Sequence, residues 1–256
     1  MGIRLISRLD VKMSHLIKGV QMEGWRKMGD PSERAAKYYA EGADEILYVD
    51  VVASLYQRNN LHDIVRDVAS RTFVPITVGG GIADMAAAKA LMDVGADKLA
   101  INTAATQRPE LLTELSDTFG SQAVVLNIEA KSLPNGGWTV MTDNGRNHTG
   151  RDAVAWAAGA PALGVGEILV TSIDRDGTRK GMDLDLIAAI SREVDIPVIA
   201  SGGCASSAHA RDAIDRGAEA ISVAAALHND SLSLAALRDE LHGAGYDLRP
   251  LPQKDV

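Results

Sequence analysis

The chain has 256 residues, 46% of them hydrophobic, and a formal net charge of −8. That length suits one eight-stranded α/β barrel, and the acidic balance argues against a general nucleic-acid or membrane-surface role. One cysteine, Cys204, excludes an intrachain disulfide and suits a reducing cytosol. The opening MGIRLISRLD lacks a signal-type apolar core, and no apolar run is long enough to span a bilayer, so a cytoplasmic location is expected.

In chain order, the first predicted strand covers 4–9, with Arg4 at its start and Asp10 just past its end. Asp30-Pro31 then supplies an N-cap followed by proline at the first helical position, opening a helix to about residue 39. Further strands are predicted at 46–49, 76–78, 98–101, 124–128, 168–171, 198–200 and 220–223. Helical patterns separate them at 61–69, 85–94, 109–118, 152–158, 184–191, 208–216 and 234–241. Strict alternation of this kind means βαβ units and a parallel sheet, so the expected fold is α/β, a single (βα)8 TIM barrel over 1–256. The stretch 11–29, which carries Lys18, is a candidate lid; the insert 131–149 reads as a small hairpin, and the tail 253–256 as loose.

The chain also repeats itself. VPITVGGG resembles IPVIASGG, GADKLAINTAA resembles GAEAISVAAAL, and EILYVD resembles EILVTS, all offset by 122 residues. Two half-barrels, at about 1–120 and 121–245, account for that spacing.

Chemistry in such a barrel belongs to the carboxyl ends of the strands. There the repeat places Gly79-Gly80-Gly81 with Asn102-Thr103-Ala104, and Gly202-Gly203 with Ala224-Ala225. Glycines let backbone N–H groups approach an anion, and a following helix N-terminus adds its dipole. A duplicated cluster points to a substrate with two phosphates, the alternative being tight βα turns and nothing more. Asp10 ends the first strand and Glu129 the fifth, on opposite sides of the mouth, where one can serve as acid and the other as base. Asp50, Thr171, Asp174, Asp176 and Gly177 lie at the same rim, and any single rim acid can equally be a cap or an ion pair. Arg4, Glu45, Lys98 and Glu167 begin strands and so meet at the opposite mouth. Spacing alone does not separate a stabilising charge network from a gate. Cys204 reads as a small filler, Trp25 in the first long loop can cover a ligand, and the histidines show no metal-ligand spacing.

The motifs RLDVK, LIKG, GDP, ADEILYVDVVAS, ITVGGGI, GADKLAINTAA, FGSQAVVLNIEAK, EILVTSIDRDGT and IPVIASGG run in order from residue 4 to about 228. Together they resemble the cyclase-subunit family of imidazole glycerol phosphate synthase. The resemblance implies a cofactor-free enzyme that receives ammonia from a class I glutaminase at the amino-terminal mouth and delivers it through the barrel to a bisphosphate ribonucleotide. It makes Asp10 one catalytic carboxylate, puts Glu129 where the family has an aspartate, and sets Lys18 in a mobile loop. It makes Arg4, Glu45, Lys98 and Glu167 an ammonia gate, with Asp97 touching the glutaminase. Departures are Glu129 itself, Arg8 in place of a small residue, and Ala100 and Ala225 where serine is usual. These, with VDVVASLYQRNN and TDNGR, look like a branch that furnishes ammonia for amidination of a surface-polysaccharide sugar beside a third protein, a sugar amidotransferase. That is the expected function here. The alternatives are the histidine-pathway cyclase and a non-catalytic activator of the glutaminase. A two-phosphate sugar isomerase barrel would have no use for the gate charges.

Overall fold

The computed structural model describes residues 2–53, 61–249 and 251. The last residues of VDVVASLYQRNN and the tail 253–256 therefore lie outside the described residues. Twelve strands are described: β1 (Arg4–Lys12), β2 (His15–Val20), β3 (Glu23–Gly29), β4 (Glu45–Asp50), β5 (Ile76–Gly79), β6 (Lys98–Ile101), β7 (Val124–Ser132), β8 (Trp138–Thr142), β9 (Asn147–Asp152), β10 (Glu167–Ser172), β11 (Val198–Ser201) and β12 (Ala220–Val223). β1, β4, β5, β6, β7, β10, β11 and β12 pair in parallel in that order, and β12 pairs back to β1, closing a barrel. The fold is the (βα)8 TIM barrel. Strands β4, β5 and β6 and their counterparts β10, β11 and β12 keep the 122-residue offset of the sequence repeat.

Strand alternation divides the apolar residues between two layers. Ile6, Leu47, Val49, Ala100, Val125, Leu169, Ile199 and Ala220 form one buried cluster, the lumen. Their neighbours along the strands, among them Leu5, Leu9, Ile46, Tyr48, Leu99, Leu126 and Ile168, pack outward with the helices in a second, larger cluster. The helices begin where the sequence supplies caps. Asp30 accepts from the backbone N–H groups of Ser32 and Glu33, opening α1 (Pro31–Ala40). Asp84, Asp152, Asp183, Ser206 and Ser233 cap later helices in the same way.

Two features differ from expectation. The stretch 11–29 is no open loop: β1 continues to Lys12, and β2 and β3 fold back as an antiparallel hairpin on its end. Positive φ at Met13, Gln21 and Met22 turns the chain, a conformation that leaves little signature in sequence at a methionine. Two short helices, Thr103–Gln107 and Ala225–His228, also stand directly after β6 and β12. They are one or two turns long, below what helical periodicity can reveal. The expected insert hairpin is present as β8 and β9.

Candidate active site

Asp10 and Glu129 stand four strands apart in the ring of eight, on opposite walls of the mouth. Both are buried, yet their surroundings differ. Arg8 Nε donates to Asp10 Oδ1 at 2.8 Å, and Lys18 Nζ donates to Asp10 Oδ2 at 2.7 Å. Burial disfavours the charged form of Asp10, but the Arg8 and then the Lys18 cation outweigh it and hold this carboxyl well below the usual carboxylate range. Glu129 accepts from the backbone N–H of Gly145 at 2.8 Å. Burial pushes its carboxyl up to about 7, only partly offset by Arg8 and by that N–H group. The expected acid/base pair is therefore unequal: one standing anion, and one group able to gain and lose a proton near neutrality.

Lys18 lies on strand β2, not in a loop, and is buried. It also holds both oxygens of Asp176 at 2.9 Å. The hairpin carrying it meets the β8–β9 hairpin across the mouth. Asn144 Nδ2 donates to the Met22 carbonyl at 3.4 Å, and Met22, Met141 and Ile173 form a small apolar cluster. Two cations lie over the Trp25 ring, Lys12 Nζ 5.2 Å and the Arg146 guanidinium 5.6 Å from its centre.

The two glycine-rich turns differ in openness. On one side Asp50, Gly80, Gly81, Asn102, Thr103, Asn127 and Glu129 line a cavity of about 770 Å³, within the usual size of a small-molecule site. On the other, Asp176, Gly177, Gly202, Gly203, Ala224 and Ala225 enclose about 10 Å³. Both turns need glycine. Gly80 has φ +95° and a Cβ there would sit 2.2 Å from the Asp50 carbonyl; Gly203 has φ +93° and a Cβ would sit 2.1 Å from the Gly181 carbonyl. Thr171 is spent on Arg8, its Oγ1 accepting from Nη1 at 2.8 Å. The other rim acids take the structural role left open by the sequence. Asp50 accepts from the Val52 N–H at 3.0 Å, and Asp174 from Ser132 and Lys131. Cys204 is buried, which pushes its thiol up to about 12 and makes it inert packing.

At the amino-terminal mouth the four charges close a ring. Arg4 bonds Glu45 at 3.0 Å and also Glu167, while Lys98 bonds Glu45 at 2.8 Å and Glu167 at 2.9 Å. Thr77 donates to Glu45 at 2.5 Å. Asp97, exposed beside the ring, accepts from the Ile76 N–H at 2.8 Å. One charge cluster escaped sequence reasoning: buried Asp44 accepts from the Leu5 N–H, Arg238 and Arg249. Its members are scattered over the chain, so no spacing advertises them.

A family model described as histidine biosynthesis protein matches residues 4–233. An imidazole glycerol phosphate synthase subunit HisF from Legionella pneumophila is 59% identical over 79% of this chain and 95% of its own length. HisF proteins from Frankia casuarinae and Nocardia farcinica are 45% and 44% identical, each over 97% of this chain and 99% of their own.

The chain belongs to the HisF family of histidine biosynthesis proteins. It is an enzyme of the cyclase, carbon–nitrogen lyase type. Each of these relatives is named for the synthase and none for sugar amidination, so the histidine-pathway alternative is favoured over the expected sugar role.

Proposed function

We propose that this chain is the ammonia-using cyclase of imidazole glycerol phosphate synthesis, acting on a bisphosphate ribonucleotide. The observation that carries it is the facing of Asp10 and Glu129 across the mouth, beside a cavity of about 770 Å³ floored by a glycine-rich turn. One phosphate would lie at Gly80, Gly81 and Thr103. The second would lie at Gly177, Gly202, Gly203 and Ala225, where Arg179 also lines the site and Asp176, paired with Lys18, would have to give way. Asn102 and Ala224 flank the two sites at the starts of the short helices.

Ammonia would come from a class I glutaminase seated on the amino-terminal face, with Asp97 at the contact and the Arg4–Glu45–Lys98–Glu167 ring as the gate. The aliphatic lumen above the ring suits neutral ammonia, because an ammonium ion has a large desolvation cost there. The half-barrels 1–120 and 121–245 would each contribute one phosphate site.

Turnover of the bisphosphate with ammonium salt, without glutaminase, tests the reading. Product formation is expected, and its absence in well-folded protein refutes it. Arg8 and Glu129 favour a second reading, ammonia supply to a sugar amidotransferase for surface-polysaccharide amidination. A barrel that supports glutamine hydrolysis in its partner yet leaves the bisphosphate untouched would favour that reading.

A further inference from the structure

Arg8 is a large cation set against a carboxylate that the proposed reaction places at its centre. By strand alternation it shares the inward face of β1 with Arg4, Ile6 and Asp10. Its side chain is 2% exposed. Besides Nε on Asp10, its Nη1 donates to Thr171 Oγ1 at 2.8 Å and to Ser201 Oγ at 3.3 Å, on β10 and β11. Three strands therefore fix the guanidinium. Lys18 takes the remaining Asp10 oxygen and is itself held by Asp176. Both oxygens of Asp10 are thus committed to charge-assisted hydrogen bonds, the strong kind. Glu129 has no such clamp: its hydrogen bond from the Gly145 N–H leaves the carboxyl group lining the open cavity. The other charged or titratable groups around the pair include Asp176 and His228, and Asp50 and Asp143, which line the same cavity as Glu129.

We propose that Arg8 is a positioning residue acting through Asp10. With Lys18 it fixes Asp10 as a standing anion, and it leaves Glu129 as the carboxyl group that exchanges protons with the substrate. This rests on the cyclase reading and assigns the division of labour within it. In each turnover one proton passes from the substrate to the Glu129 carboxylate and is then given to the nitrogen released as the carbon–nitrogen bond breaks. Asp10 gains no proton; its charge stabilises the positive charge that develops where nitrogen adds.

The test is a site-resolved carbon-13 carboxyl NMR titration of the full chain, followed by rate–pH profiles with ammonium salt at constant un-ionised ammonia. In the wild type, Glu129 should titrate near 7, and Asp10 should stay ionised to well below the usual carboxylate range. Arg8→Met should raise the Asp10 titration by about one unit or more, and should move Glu129 and the midpoint of the rate profile upward together. Arg8→Lys should recover most of each shift.

Asp10 titrating near the ordinary 3.9 in the wild type would overturn the proposal. So would an Arg8→Met enzyme that is uniformly slower with neither titration nor profile moved, which is the outcome of a purely structural role. If Arg8→Met does not fold, the wild-type titration of Asp10 decides alone. Absence of turnover in the wild type, with both titrations as expected, counts against the cyclase reading and supports the clamp.

Discussion

Replacing Lys98 by methionine separates the two meanings of the charge ring. Lys98 Nζ contacts Glu45 at 2.8 Å and Glu167 at 2.9 Å, whose side chains are only 2% and 8% exposed. Methionine keeps most of the volume and removes the charge, leaving Arg4 to serve both carboxylates. Breaking a buried pair costs about 3–5 kcal/mol. Lys98 is 17% and Arg4 20% exposed, so water screens part of the loss and the lower end, about 3 kcal/mol, applies. For a chain of this size each kcal/mol lowers Tm by about 2–4 °C, so a fall of about 6–12 °C is expected in a thermal melt at neutral pH. Adding Glu45→Gln should restore at least about 1 kcal/mol, because the two side chains are directly coupled. The gate reading adds a second consequence, measured below the lowered Tm. Glutamine-dependent product formation should fall further than ammonium-dependent formation, with glutaminase turnover intact. A Tm shift below about 2 °C would show that the ring contributes little to folding. Equal losses with both nitrogen sources, in an intact glutaminase complex, would refute the gate.

The pH dependence of stability should hide two opposing groups. Glu129 titrates near 7 in the fold against 4.5 ordinarily, so its contribution is full at low pH and is lost as pH rises through about 7, about 3 kcal/mol in all. Burial lowers His228 from 6.5 to about 4, so its contribution of similar size is full above about 6.5 and is lost as pH falls through about 4. Urea unfolding of Glu129→Gln should therefore show stability rising with pH between about 4 and 6.5, and a flat profile would refute the assignment. Gly203→Ala, with φ +93° and a carbonyl 2.1 Å from the new Cβ, should destabilise by more than about 1 kcal/mol in the same assay; a neutral result would mean that the turn can move. Cys204, its thiol pushed up to about 12, should resist a thiol reagent at pH about 8 in native protein and react once unfolded. Phosphate soaked into crystals should occupy the Gly81–Thr103 site first, and should occupy the Gly203–Ala225 site only where Lys18 has parted from Asp176. Density at the second site with that pair intact would refute the order.

The barrel was legible because its signals are local and periodic. Apolar runs of strand length, caps such as Asp30-Pro31, and a 122-residue repeat are set by neighbours along the chain. Parallel pairing of successive strands then follows from the alternation. The same logic placed Asp10 and Glu129 at one mouth and Arg4, Glu45, Lys98 and Glu167 at the other, since which end of a strand a residue occupies is written in its position. What the sequence could not carry was pairing across the barrel. Arg8 meets Asp10, Thr171 and Ser201, Lys18 meets Asp176 158 residues away, and Asp44 meets Arg238 194 residues away. The hairpin in 11–29 turns on left-handed methionines and a glutamine, held down by contacts with the opposite half. The repeat made the two glycine-rich turns look alike, whereas folding leaves a cavity of about 770 Å³ at one and about 10 Å³ at the other. Position along a strand was therefore determined by the sequence itself. The ionisation of each buried carboxyl was decided only by the tertiary structure, because burial and neighbouring charge act through space.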